Sequence, residues 1–584
     1  MSKPTERENY EINETQEFPQ DPVGYVRGML SHTENAPPLQ IGPFVPSCFM
    51  SEQEKQKLLN ITQYGKELRG KKEYRKRAHE TDVELHPMDA GLGTSVKRSS
   101  YLRSLIGKVD RPFEEGVIGA KSQDLYDERF TLNRKRHLVR YESVADMKIR
   151  RILEVAKHYK SCSIEVLVSE DSEGPMKMVY EKHKKFLEKK GIALAFVVEQ
   201  SLPMIDTETN MIMLDHTSPG GHGYAGRVIL DRIRMAPQED SVHAIYNGDG
   251  FNNFVSPEMV GFTKEKKAAF TMITTTRTPA DQKGGCVGGK IREDGTTVPG
   301  IMELAQAREA GQEDLFNKLG LEEIDGQFSE VGGQYFNTNT VLMNGGLLHT
   351  FLNRVYRDFG EVAYNIIVTP EHIKKPPKHN KDGLALISAE GALGSLVLRL
   401  AEQVQTNPQL QDIWKEVSGG SAFLQIVNLG PEDRDEFFTP IKTTMDYLIL
   451  THTDKYYTPH YSRSKKVSTT PGEVVALGGD LVKDGYWANV KNVIDSLGHC
   501  RMSELISMEV HGAFICPNVE WRGKVEIHVP GTAEQPTVLD RILLYQLLKD
   551  IKISQHDIDY DVLIIKNVRI RVNTEGGYDV TPLS

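Results

Sequence analysis

The chain has 584 residues, 39% hydrophobic and 26% charged, with a formal net charge of −10 at pH 7. Such a chain exceeds one hydrophobic core and predicts two or three domains of a soluble globular protein. The acidic balance excludes general nucleic-acid binding, which needs a basic face, and no stretch approaches the roughly 20 apolar residues of a membrane span. Taken in chain order, residues 1–41 are polar, with Pro19, Pro22, Pro37 and Pro38. They predict a poorly ordered or loosely attached start without the apolar region of a secretory signal. Residues 51–74 predict a helix, with Ser51 as N-cap ahead of Glu54 and Leu58, Leu59 and Ile61 among Lys and Gln. The charged run 75–84 reads as a linker. Met88-Asp89-Ala90-Gly91-Leu92-Gly93-Thr94-Ser95 is a Gly-rich loop followed by Lys97 and Arg98. Gly91 and Gly93 let backbone N–H groups approach a ligand, and amides with nearby cations cradle phosphate oxygens.

Beyond the loop, Ile149, Ile152, Leu153 and Ala156 have helical spacing. Residues 164–168 predict a buried strand. Residues 178–189 predict a helix with Val179, Phe186 and Leu187 on one side. Strands follow at 192–198, 242–246 and 269–275. Strands alternating with helices imply βαβ units and a mainly parallel sheet covered on both faces. Ligands of such sheets bind beyond the carboxyl ends of the strands, and Gln200-Ser201 and Asn247-Gly248-Asp249-Gly250 each follow a predicted strand. After residue 457 the pattern changes. Ala513, Val519 and Val525 recur every six residues, as do Ile515, Trp521 and Ile527, with Gly512, Pro517, Asn518 and Gly523 between them. This predicts parallel β-helix coils, with an antiparallel meander as the alternative. A helix at 538–549 and a strand at 562–572 complete the tail. Five scattered cysteines (Cys48, Cys162, Cys286, Cys500, Cys516) include no CxxC pair, which predicts reduced thiols in a cytoplasmic protein.

Five blocks, taken in order, resemble the UTP–glucose-1-phosphate uridylyltransferases (UDP-glucose pyrophosphorylases) from about residue 85 to the C-terminus. They are the 88–95 loop, Pro219-Gly220-Gly221-His222-Gly223, Asn247-Gly248-Asp249-Gly250, Phe336-Asn337-Thr338-Asn339 and Lys442-Thr443-Thr444-Met445-Asp446. Singly, each has a plain reading as a turn or a solvated strand end. The resemblance implies an α/β fold: a Rossmann-like nucleotidyltransferase core with a mixed, mainly parallel sheet, plus a C-terminal left-handed parallel β-helix domain. The corresponding division is an N-terminal extension at 1–84, a catalytic core at 85–457 and the β-helix domain at 458–584. It also implies a direct in-line attack of glucose 1-phosphate on the α-phosphorus of UTP, giving UDP-glucose and pyrophosphate. That chemistry requires charge neutralisation and alignment, and no covalent nucleophile.

Carried over residue by residue, the resemblance gives the nucleotide loop to Met88, Gly91, Gly93 and Thr94. Ala90 replaces a family Gly, Lys97 stands where a Gly is usual, and the family's later Pro-Lys pair is absent. Lys97, nearest the loop, is the first choice to replace that lysine, with Arg98 and Arg103 also open. Gln200 reads uracil, Gly221 meets the uracil edge through its backbone, and His222 contacts phosphate or sugar. Asp249 binds Mg²⁺, an ion that prefers carboxylate, phosphate and water oxygens. Asn247 and Gly248 contact the sugar phosphate, and Glu303, Asn337 and Asn339 receive the sugar. Lys442 bridges the phosphates of both substrates, with Asp446 close by. Asp281 and Lys283-Gly284-Gly285 match a further block that a hairpin turn explains equally well. The expected partners are UTP and a sugar 1-phosphate, with no nucleic acid or membrane and a homo-oligomer formed through the tail. Two alternatives stay open: a UDP-N-acetylhexosamine pyrophosphorylase and a catalytically weak nucleotide-sugar-binding protein.

Overall fold

The computed structural model of the chain describes residues 20–33, 39–89, 144–181, 183–236, 240–248, 250, 254–278, 281, 284–324, 331–370, 378–379, 383–438, 440, 475–477, 486–488, 492, 496, 505–516, 519–550, 554–557 and 562–584. Eight strands form the spine of the main sheet: β1 (Ile61–Gln63), β2 (Asp82–Met88), β3 (Ser161–Ser169), β4 (Ile192–Glu199), β5 (Ser241–Asn247), β6 (Phe270–Thr276), β7 (Tyr335–Asn344) and β8 (Leu424–Leu429). Their order is β1-β8-β6-β7-β5-β2-β3-β4. β5, β2, β3 and β4 pair in parallel, as do β1, β8 and β6. Only β7 runs against its neighbours β6 and β5. The carboxyl ends of seven strands therefore share one edge with the amino end of β7, which is the mainly parallel α/β arrangement that the alternating pattern predicts.

Apolar residues cover both faces. One core packs Leu167, Val197, Ile245 and Met343 against the helices Gly221–Met235, Gly345–Ile367 and Leu393–Thr406. The other packs Val83, Leu85, Ile164, Val166, Val242 and Ala244 against the helices Val144–Ala156, Glu170–Glu181 and Pro257–Glu265. Each large apolar side chain so buried contributes about 1.5–3 kcal/mol. The predicted strands at 164–168, 192–198, 242–246 and 269–275 fall on β3, β4, β5 and β6.

The first 84 residues differ from expectation. Pro22–Thr33 is a helix whose Tyr25, Val26 and Met29 are fully buried in the first core, so this part of 1–41 is firmly attached. The predicted helix at 51–74 stops at Leu59. Asn60 adopts the left-handed conformation (φ 47°) and caps the helix, and Ile61–Gln63 then pairs with β8. The Ser51–Glu54 capping box is present as predicted. The supposed linker at 75–84 holds the end of the helix Lys72–His79 and the start of β2, a central strand. The helix predicted at 178–189 is two helices, Glu170–Glu181 and Lys184–Lys189; Leu187 is buried, but Phe186 is exposed.

In the tail, Val475–Leu477, Leu505–His511, Val519–His528 and Val562–Val572 pair successively in parallel. Phe514–Ile515 pairs in parallel with Thr537–Val538. The six-residue spacing does not mark successive coils. Val519, Trp521, Val525 and Ile527 lie along one strand and are buried by its two-residue alternation. The true columns cross larger sequence gaps, as in Met508–Val525–Val568 and Val510–Ile527–Ile570. The helix expected at 538–549 starts at Arg541, because Thr537 and Val538 are spent on a ladder. The strand expected at 562–572 is Val562–Val572.

Candidate functional site

The shared edge gathers the described members of four sequence blocks. Met88 and Asn247 are register partners at the ends of β2 and β5, and Gly248 N–H donates to the Met88 carbonyl at 2.9 Å. Gly248 has no room for a side chain: a Cβ there would collide with the Asp89 carboxylate and stand 2.5 Å from the Met88 carbonyl oxygen. Asp89, only 1% exposed, donates its N–H to the Leu167 carbonyl at 2.8 Å, and its Oδ2 accepts from Tyr180 Oη at 3.0 Å. Lys148 is also buried and donates to the Asn247 carbonyl at 3.4 Å. Asp89, Lys148 and Tyr180 escaped the sequence reading. A carboxylate at the start of the Gly-rich loop was the only signal, and the other two lie on helices whose periodicity reads simply as core.

Asn337 and Asn339 reach the same edge because β7 runs backwards. A bulge separates the Asn337–Thr274 pair from the Thr340–Ile273 pair. It turns Asn339 into the left-handed conformation, φ 55°, which asparagine tolerates better than most side chains. Asn337 Nδ2 donates to Asn339 Oδ1 at 2.8 Å, and Asn339 N–H donates back to Asn337 Oδ1 at 3.0 Å. Asn339 Nδ2 then donates to His222 Nδ1 at 3.1 Å, which in a neutral imidazole leaves the proton on Nε2. His222 is the second residue of the helix Gly221–Met235, and Gly221 enters that helix at φ 68°, where a side chain would be strained. Two predicted sugar-binding amides and the predicted phosphate-or-sugar histidine thus form one connected group.

Glu303 ends the strand Thr297–Glu303, is the register partner of Gly285, and lies one strand from Phe336. Burial pushes its carboxyl up to about 7. Gln200 is exposed just beyond β4 and donates its N–H to Gln20 Oε1 at 3.0 Å. Gln20 in turn donates to the Val198 carbonyl at 2.7 Å and accepts from Tyr224 Oη at 3.1 Å. Gln20, two residues before the first helix, therefore ties the end of β4 to the His222 helix. Asp281 is spent structurally, since its carboxylate takes both Arg434 Nη1 and Nη2 at 2.7 Å in a buried pair. Gly91, Gly93, Thr94, Lys97, Arg98, Arg103, Asp249, Lys442 and Asp446 lie outside the described residues. The chain flanking two of them does not: Gly250 forms a bridge with Pro440.

Glu199, buried beside Gln200, has no hydrogen-bond partner at Oε1 among the described residues, and burial pushes it up to about 8. A raised carboxyl pKa means that the folded protein holds a proton the unfolded chain has released. Its stabilising effect is complete below the ordinary carboxylate range and is lost as pH rises toward about 8. Glu199→Gln should therefore raise the Tm relative to wild type at pH about 8 and leave it nearly unchanged at pH about 4.5. Equal Tm differences at both pH values would show that Glu199 is not a buried proton carrier.

A sequence profile of UTP–glucose-1-phosphate uridylyltransferase matches residues 139–516. No curated protein matches the chain in sequence. Among solved structures, UDP-glucose phosphorylase from Trypanosoma brucei superposes with a TM-score of 0.55 at 16% identity, covering 89% of this chain and 97% of that one. A point mutant of UDP-glucose pyrophosphorylase from Leishmania major in complex with UDP-glucose gives 0.53 at 15% identity, covering 79% and 84%. Identity that low carries the fold alone.

Proposed function

Because the chain belongs to the UTP–glucose-1-phosphate uridylyltransferase family, we propose that the edge carrying Met88, Asn247, His222, Asn337 and Asn339 is its active site. The protein is a nucleotidyltransferase that makes UDP-glucose by uridylyl transfer. The observation that carries the site assignment is the hydrogen-bonded group His222–Asn339–Asn337 on the sheet edge that also ends at Asn247-Gly248.

In this reading the sugar 1-phosphate lies against the amides, each hydroxyl exchanging water for a side-chain oxygen or N–H. His222, with Nδ1 engaged by Asn339, presents Nε2–H to a phosphate or hydroxyl oxygen. Gly221 and Gln200 face uracil, and Met88, Gly91, Gly93 and Thr94 carry the triphosphate with Lys97. Lys442 draws the two substrates' phosphates together for in-line attack on the α-phosphorus. A magnesium ion fits the donor set. The Asp89 carboxylate packs against Gly248, which directly precedes Asp249 in the chain, and carboxylates suit a hard cation. Asp249 would hold the ion, which when bound neutralises phosphate charge.

Pyrophosphate release from a panel of nucleoside triphosphates and sugar 1-phosphates tests the substrate pair. UTP with glucose 1-phosphate should exceed the other combinations; preference for an N-acetylhexosamine 1-phosphate would overturn the glucose assignment. Asp249→Asn should impair turnover while leaving UTP affinity largely intact, and a wild-type rate unchanged by chelation would remove the metal role.

The division at 84/85 and 457/458 is retained as a proposal, although the first line falls inside β2. Two parallel ladders in the tail support a β-helix domain there, with left-handed coils inferred from the family. Val538, Ile542 and Leu547 are exposed on that tail, and an apolar surface of this kind supports self-association. Among the described residues Cys48, Cys162, Cys286 and Cys516 are buried, which accords with a cytoplasmic setting. No helix among the described residues is long and apolar enough to cross a membrane. Truncation after residue 457 should alter oligomeric state or solubility by light scattering while a soluble core keeps UTP binding. A monodisperse core that has lost UTP affinity would put nucleotide-site residues in the tail.

A further inference from the structure

On the same sheet, short of the strand ends, polar residues occupy positions where a sheet core normally holds Val or Ile. Glu84 and His86 lie on β2, His243 on β5 and Glu165 on β3, the last beside His86 across the ladder. Both imidazoles are fully buried. Burying such groups is costly unless they are engaged. His86 Nε2 lies 3.0 Å from His243 Nδ1, and His243 Nδ1 lies 3.5 Å from Glu84 Oε2. These three ligand atoms lie within 4.8 Å of one another. Glu84 Oε2 is buried without a hydrogen-bond partner among the described residues.

We propose that Glu84, His86 and His243 form a binding site for a divalent transition-metal ion of the zinc class, separate from the magnesium site at the strand ends. Two imidazole nitrogens and a carboxylate oxygen are the donors such ions select, whereas magnesium prefers oxygen throughout. With Zn–N distances of about 2.0–2.1 Å, tetrahedral ligation sets two ring nitrogens roughly 3.3 Å apart. The rings show 3.0 Å between these nitrogens and lie 6° from parallel with centroids 5.3 Å apart, so ligation parts them by a few tenths of an ångström and turns them until both lone pairs meet the ion.

The outer surroundings supply a second, independent argument. Ligating histidines usually engage their other ring nitrogen with an oxygen that fixes the tautomer. His86 Nδ1 faces Glu165 Oε2 at 3.5 Å with no hydrogen bond between them, and Glu165 is held by Arg232. His243 Nε2 faces Ser241 Oγ at 3.3 Å. The side chain of Glu84, 18% exposed, marks the route to solvent. Bound there, the ion joins β2 to β5, whose far ends carry Met88 and Asn247. Its role is to hold the site's floor, with no part in the transfer.

The test uses the full chain, stripped of metal with a chelator and kept in excess Mg²⁺. Zn²⁺ should then raise the Tm, and Co²⁺ should give the visible absorption of a tetrahedral site at one ion per chain. Glu84→Gln and His86→Gln should each abolish both responses, and Asp249→Asn should keep them. If His86→Gln fails to fold, the partly exposed Glu84→Gln decides alone. The proposal falls if Zn²⁺ leaves the wild-type Tm unchanged, if the responses survive in Glu84→Gln, or if Asp249→Asn removes them.

Discussion

Lys442→Ala is expected to lower turnover by at least about 10²-fold, the usual loss when one preorganised electrostatic contact to a developing charge is removed. The effect should fall on kcat more than on UTP affinity, since a cation between two phosphates acts most strongly when they converge. The Tm should hardly move, because a lysine that meets substrate contributes little to folding. Lys442 comes two residues after Pro440, which bridges Gly250, the residue after Asp249. Steady-state kinetics with both substrates varied separates the outcomes. A variant with near wild-type kcat would remove Lys442 from the catalytic machinery.

The second large effect belongs to Gly248→Ala. Its Cβ would meet the Asp89 carboxylate and the backbone at Met88, neither of which is a flexible side-chain end free to swing away. Overpacking of this kind costs roughly 1–3 kcal/mol. The displaced groups begin the Gly-rich loop, so UTP affinity should fall together with the Tm. Gly174→Ala is the control. It sits in the helix Glu170–Glu181 with nothing beyond its chain neighbours within 4 Å of the added carbon, and because Pro175 follows it the usual helix gain of alanine over glycine is not expected. If thermal unfolding and UTP titration of Gly248→Ala match wild type, the close approach of β2 and β5 at this point is not what shapes the loop.

Apolar runs made β3, β4, β5 and β6 legible, because a parallel strand covered on both faces has no polar alternation to blur it. β2 was missed for the opposite reason. Its sequence, Asp82-Val83-Glu84-Leu85-His86-Pro87-Met88, reads as a charged connector, yet Glu84 and His86 turn into a buried polar cluster rather than to water. Pro22–Thr33 was missed because prolines and polar neighbours outweighed the apolar face of Tyr25, Val26 and Met29. Of the site, sequence supplied His222, Asn337 and Asn339 as separate motifs. It could not supply their hydrogen bonds, which depend on β7 reversing direction and on a bulge that no periodicity announces. The six-residue columns of the tail failed because a two-residue alternation also repeats at six, and only ladder partners distinguish the two.

The bulge in β7 also limits how this chain can change over generations. Thr338, inside it, is buried and donates to the Ile273 carbonyl at 2.7 Å. Two residues, Thr338 and Asn339, are extra to the ladder here, so deleting one of them would leave a flank of the strand one residue out of register. Every side chain on one flank would then swap between the sheet's two faces. Substitutions at Asn337 or Asn339 remove side-chain contacts, but a gained or lost codon here would dismantle the His222–Asn339–Asn337 group and misfile the core residues Val341 and Met343 at once. Length in this short stretch should accordingly be far less tolerant of drift than composition.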